Sequence, residues 1–312
     1  MKKILKVALI IILAFIIFSI IAPAKLGKIT YDSAVAIESR LYGVSEHKID
    51  IGEMEISYYK NKLSSDKETL LLLHGFSSDK VVWLRFARYF TDQYNVIIPD
   101  MAGHGKTGYS KNWDYRIPAQ VSRLIKFLEQ LQINKVHVIG NSMGGFISAH
   151  FAFQHPDKTL SATLVDPAGI KSPVASNMDN MLAKNTNPFK IYTRSEFDTF
   201  YAMTMASPPW LPDFIFAAFY EQYQNRREEL MHIFSDYHGK DMLDGSLDKI
   251  NIPVLLLWGE EDRLIHVSSV EVWQSGIKGI KVKTWPGIGH MPMFEMPGES
   301  ADVVQQFLQG LD

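Results

Sequence analysis

The sequence predicts an α/β protein built on a mostly parallel sheet of about eight strands, with helices on both faces and an inserted helical lid. Three observations lead there. From about residue 48 onward, β-type apolar runs alternate with amphipathic helical stretches, which is the rhythm of a parallel sheet covered on both sides. Several of those runs, Leu70 to Leu73 above all, are continuously apolar, as strands buried on both faces require. The rhythm then breaks between about Gly169 and Leu247, where Pro188, Pro208, Pro209 and Pro212 punctuate helical segments rich in Phe, Tyr and Met.

Taken in order, the chain begins with Met1, Lys2, Lys3 and Lys6 ahead of an uncharged apolar run from Val7 to Ala22. As a helix from Ile4 to Ala22, this segment reaches about 28 Å, close to the roughly 30 Å hydrocarbon core of a bilayer. Segment 1–24 is therefore expected to be a single-pass membrane anchor, with the catalytic part outside the cytoplasm because of the lysines ahead of the run. Lys25 and Lys28 beyond it weaken that bias. The alternative is a secretory signal, since the basic start and the small-x-small triplet Ala22-Pro23-Ala24 suit cleavage and release.

Residues 25–47 follow as an expected linker, and 48–168 with 246–312 as the sheet-bearing core. Strands are expected within Ile49 to Tyr59 (two of them), and at Thr69 to His74, Asn95 to Pro99, Lys135 to Gly140, Ser161 to Val165, Pro253 to Trp258 and Ile280 to Trp285. Helices belong between them, at Val81 to Asp92, Pro118 to Leu131, Gly144 to His155, Val267 to Gly276 and Gly298 to Leu311. In the second, Val121, Leu124, Ile125, Leu128 and Leu131 recur at helical spacing and form a sheet-facing stripe. The cap, 169–245, carries Phe200, Met203, Met205, Trp210, Phe214, Phe216 and Phe219, which either form its own core or face a substrate.

Composition narrows the function. A formal charge of −2 provides no basic field for nucleic acid, so no nucleic-acid partner is expected. With no cysteine in the chain, disulfides, thiolate metal sites and a thiol nucleophile drop out. No histidine pair has metal-ligand spacing, and no metal is expected.

The sharpest signal is Gly140-Asn141-Ser142-Met143-Gly144-Gly145, set between a strand pattern and a helix pattern. This is a G-x-S-x-G elbow, in which the tight turn needs small neighbours at Gly140 and Gly144 and exposes the serine hydroxyl at a helix N-terminus. Ser142 is thus the expected nucleophile. His74-Gly75-Phe76 follows the apolar strand Leu70 to Leu73, so the backbone N–H groups of Phe76 and Met143 are the expected oxyanion donors. Of ten histidines, His290 alone follows the last predicted strand and is the expected general base. Asp262, in the turn after Trp258, is the expected orienting acid, with Asp166 as its rival at the end of the preceding strand.

These residues resemble the α/β-hydrolase fold, and within it the monoacylglycerol lipases and the secreted or membrane-bound bacterial lipases. The resemblance runs from about Asp50 to Leu311 through His74-Gly-Phe, Asp100-Met-Ala-Gly-His-Gly, Gly-Asn-Ser142-Met-Gly-Gly, Val-Asp-Pro-Ala-Gly169, Asp262 and Gly-His290. It extends into the lid at Asn187-Pro-Phe and Pro208-Pro-Trp-Leu-Pro. The resemblance implies a cofactor-free serine hydrolase that cleaves carboxylic esters of lipids, monoacylglycerols or short and medium acyl glycerides, with no obligatory protein partner. The elbow is also similar to that of carbon-carbon hydrolases acting on ring-cleavage diketones, which is the alternative enzyme reading. A catalytically idle binding module on the same fold is the alternative outside enzymes.

Overall fold

The computed structural model describes residues 4–7, 9 and 21–311. The expected anchor falls mostly outside the described residues, and among those described no helix is long and apolar enough to cross a membrane. The chain proceeds through α1 (Pro23–Leu41), β1 (Ser45–Asp50), β2 (Glu55–Lys60), β3 (Thr69–Leu73), a 3-10 turn running into α2 (Leu84–Ala87), β4 (Asn95–Pro99), α3 (Ile117–Gln130), β5 (Val136–Asn141), α4 (Met143–Gln154) and β6 (Thr159–Val165). Four cap helices come next: α5 (Asn177–Ala183), α6 (Arg194–Thr204), α7 (Asp213–Asn225) and α8 (Arg227–Tyr237). The core then resumes with β7 (Val254–Gly259), α9 (Ser269–Gly276), β8 (Lys281–Trp285), α10 (Pro292–Glu295) and α11 (Pro297–Gln309).

The predicted fold class is borne out. The strands form one eight-stranded sheet in the order β1-β2-β4-β3-β5-β6-β7-β8. β2 runs antiparallel to both its neighbours, and every pair from β4 to β8 is parallel.

Alternation along each strand divides the interior into two apolar layers. On one face Leu71, Leu73, Val138 and Leu256 pack with Val121, Leu124 and Phe127 of α3 and Phe146 and Phe151 of α4. On the other, Leu70, Leu72, Ile139, Leu255 and Leu257 meet Trp83, Phe86, Phe90 and, from α11, Val304 and Phe307. All four leucines of β3 are fully buried, each contributing roughly 1.5–3 kcal/mol of transfer free energy. β3 sits beside both β4 and β5, so the chain reverses its direction of travel across the sheet there. Loops after the C-terminal ends of β3 and β5 therefore open a crevice, the usual place for a ligand in such a sheet.

The expected linker at 25–47 is corrected by the structure. Its first part is helix α1, with Pro23 in the opening turn, and its last part begins β1 at Ser45. α1 lies against cap helix α7 so closely that a Cβ on Gly27 would overlap the carbonyl oxygen of Phe214. Tyr31 of α1 meets Phe219 of α7 edge to face at 4.8 Å. The helix expected over Val81 to Asp92 is also shorter than predicted, a 3-10 turn at Lys80–Trp83 followed by α2.

Candidate active site

Between the end of β5 and the start of α4, Ser142 adopts φ 57° and ψ −117°, a conformation costing a non-glycine residue about 1–3 kcal/mol. Three backbone hydrogen bonds hold it there. Its N–H donates to the Val165 carbonyl at 3.0 Å, and its own carbonyl accepts from Phe146 at 3.0 Å and Ala168 at 3.1 Å. The turn leaves no room for side chains around it: a Cβ on Gly140 would overlap the Gly144 carbonyl, and one on Gly144 the Leu73 carbonyl. On Gly145 a Cβ would come within 2.8 Å of Pro167 Cβ. Ser142 itself stays half-buried at the N-terminus of α4 and lines a cavity.

His290 and Asp262 arrive from the loops after β8 and β7. The Nδ1 of His290 lies 2.6 Å from Asp262 Oδ2, and both side chains are almost fully buried. Asp262 Oδ1 also accepts the backbone N–H groups of Leu264 at 2.8 Å and Ile265 at 3.0 Å. With the carboxylate as acceptor, Nδ1 carries the ring proton and Nε2 is left with its lone pair. His290 lines the same cavity as Ser142. The rival acid, Asp166, accepts the Gly259 N–H at 2.9 Å instead of bonding the imidazole.

Two further residues position this loop, and the sequence reading missed both. Asn141 donates through Nδ2 to the His290 carbonyl at 2.9 Å, tying the Ser142 turn to the His290 loop. An amide inside the elbow motif was the signal for it. Glu295 accepts the Gly289 N–H at 2.8 Å through one oxygen and the cap's Ala206 N–H at 2.9 Å through the other. Nothing in the sequence marks that role, which depends on where the cap folds back.

The loop after β3 passes directly over the serine, since a Cβ on Gly75 would stand 3.1 Å from Ser142 Cβ. His74 fixes its course. Burial holds the His74 imidazole below its ordinary value, so it is neutral. Nε2 accepts the Met101 N–H at 3.0 Å, which leaves the proton on Nδ1 to donate to the Gly75 carbonyl at 2.8 Å. Because the peptide is planar and trans, orienting the Gly75 carbonyl also orients the N–H of Phe76 to the opposite side. The Phe76 side chain packs edge to face on cap residue Phe189 at 4.8 Å.

Above the serine, the cavity measures about 1360 Å³. Its walls come from the cap, including Phe189, Phe200 and Met205, and from α1 through Tyr31 and Val35. Of the cap residues singled out in the sequence, Phe200, Met203 and Met205 are buried, whereas Trp210 is 84% exposed at the cavity rim. Among the described residues, one set of three brings metal-ligand atoms together, Asp166, Asp262 and His290. His290 and Asp262 already spend their facing atoms on each other, which makes the set a hydrogen-bonded relay rather than an open ligand shell.

Comparison with known proteins agrees with this architecture. The family model for the alpha/beta hydrolase fold matches residues 68–244, and the chain belongs to that family. It is 32% identical to Lipase 1 of Psychrobacter immobilis over 92% of this chain and 91% of that protein. Monoacylglycerol lipase abhd6-A of Xenopus laevis is 29% identical over 96% of this chain and 91% of its own length. Among solved structures, a membrane phospholipase A described as a bacterial virulence factor superposes with a TM-score of 0.88. That structure is 34% identical and covers 100% of this chain and 99% of its own. Kinship with lipases over nearly the whole length makes the chain a carboxylic ester hydrolase.

Proposed function

We propose that the protein hydrolyses carboxylic esters of lipids, monoacylglycerols or short and medium acyl glycerides, through an acyl-enzyme on Ser142. The observation that carries this reading is the buried His290–Asp262 pair at 2.6 Å converging with Ser142 on one large, mostly apolar cavity. His290 Nε2 takes the hydroxyl proton as Ser142 Oγ attacks the ester carbonyl, and Asp262 holds the resulting imidazolium without taking its proton. The N–H groups of Phe76 and Met143 receive the oxyanion, Met143 at the positive end of α4. The alcohol leaves with the proton from His290. Water, deprotonated by the same imidazole, then releases the acid.

The apolar run Val7 to Ala22 supports attachment to a membrane, with the catalytic part outside the cytoplasm. An anchored enzyme would draw its substrate laterally from the bilayer. Sedimentation of the full chain with membranes and its release by detergent but not by alkaline carbonate tests that attachment. For the chemistry, the test is a substrate panel of monoacylglycerols, triacylglycerols, p-nitrophenyl esters and a ring-cleavage diketone. Fastest turnover of the acylglycerols is the expected result, and turnover of the diketone alone would reject it.

A further inference from the structure

One ionisable group sealed into the site has no part in the scheme above. Asp166 follows β6 with its backbone at φ 43° and its side chain fully buried. One carboxyl oxygen accepts the Gly259 N–H; the other, Oδ2, accepts from no donor among the described residues, and the further hydrogen-bond partner of the carboxyl is the Asp262 side chain. Yet an oxygen of Asp166, an oxygen of Asp262 and a ring nitrogen of His290 all lie within 4.8 Å of one another.

Two ionised carboxylates at that separation, away from water, repel strongly, and one of them must hold a proton. Asp262 accepts hydrogen bonds from His290, Leu264 and Ile265, each favouring its anion, while Asp166 accepts one from Gly259. The proton therefore sits on Asp166. Burial first, and then the charge of Asp262, push the Asp166 carboxyl well above the ordinary carboxylate range, with Glu295 adding to the same effect.

We propose that Asp166 is a positioning residue of the relay, a neutral carboxyl beside Asp262 that becomes the anion supporting His290 when Asp262 is removed. The inference rests on the reading of Ser142, His290 and Asp262 as the reacting relay. With Asp262 shortened to alanine, water fills the space the side chain leaves, Asp166 passes its proton to that water, and the oxygen that faced Asp262 turns to the Nδ1–H of His290. No other bond changes.

The test is a double-mutant cycle on kcat/KM for a p-nitrophenyl ester, with folding of each variant checked by circular dichroism. Asp262→Ala is expected to lose about 100-fold and Asp262→Ala/Asp166→Asn about 10,000-fold, with Asp166→Asn alone costing several-fold. A double variant within twofold of Asp262→Ala overturns the proposal. So does an Asp166→Asn penalty that is equal in both backgrounds, because that is what a purely structural carboxyl would give. Should Asp262→Ala fail to fold, infrared difference spectra in D2O decide between wild type and Asp166→Asn. A protonated-carboxyl C=O band lost in the variant supports the proposal, and its absence from wild type overturns it. Fluorophosphonate labelling run in parallel separates the failures. Labelling of wild-type Ser142 with no takeover in the Asp262→Ala background overturns this inference alone, whereas an unlabelled wild-type Ser142 overturns the relay itself.

Discussion

At the scale of single residues, Ser142 holds a backbone conformation that serine avoids unless its surroundings impose it, and the glycines around it are what permit the imposition. Replacing the hydroxyl while keeping the turn removes only the chemistry. Ser142→Ala is therefore expected to lower kcat by about 10⁶-fold and leave the fold intact, measured by ester turnover and thermal melting. Asp262→Asn keeps the shape of the acid, leaves Asp166 no space to approach, and presents the wrong partner to Nδ1. It should lower kcat by about 10,000-fold, against several-fold for Asp166→Asn, and the reverse order would transfer the orienting role to Asp166. Gly140→Ala drives a methyl into the Gly144 carbonyl and should cost at least about 1–3 kcal/mol of stability, read from the urea midpoint.

At the scale of elements, α1 joins the cap to whatever precedes it in the chain, and its contact with α7 depends on the missing side chain at Gly27. Gly27→Val should separate the two helices, lowering Tm by roughly 1.5–5 °C for a loss of about 1–3 kcal/mol. An unchanged Tm would mean that α1 contributes nothing to the folded state. This helix was not legible in the sequence. Its buried residues Leu26 and Val35 are sparse, and its partner is an inserted helix rather than the sheet, so no apolar stripe announces it. β1 was half-legible, because its mostly exposed edge residues Ser45 to Lys48 carry no apolar alternation. The strands β3 to β7 were readable because burial on both sheet faces writes continuous apolar runs, α3 because one buried face writes a helical stripe, and α4, buried all round, because the elbow motif marks its start. The proposed relay of Ser142, His290 and Asp262 stood out for another reason: each follows a strand end whose turn chemistry is local. Asn141 and Glu295 act across loops distant in sequence; the amide inside the elbow motif hints at the first, and no local pattern marks the second.

At the scale of the molecule, the cavity and the buried histidines set behaviour that no single residue controls. His74 and His104 are fully buried, and burial lowers both imidazoles below their ordinary value, His104 well below. The unfolded chain therefore binds protons that the folded chain refuses. Stability is retained above the unfolded-state value of about 6.5 and lost as pH falls from there toward the depressed folded-state values. The raised carboxyls Asp79 and Asp166 act in the opposite sense, so the test compares variants: the urea midpoint should fall less, or rise more, from pH 7 to 5 in His104→Gln than in wild type, and an equal change would contradict the assignment of that ring as neutral. The cavity makes a parallel prediction for substrates. Each methylene buried is worth about 0.8 kcal/mol, so kcat/KM should grow by up to about fourfold per added methylene until the cavity is full. Chain-length independence would mean that the acyl group stays outside. The central claim is that one hydroxyl becomes covalently acylated, and mass spectrometry after reaction with a fluorophosphonate probes it most directly. The account predicts a single adduct on the peptide containing Ser142, lost in Ser142→Ala; an adduct on any other side chain of the active protein would contradict it.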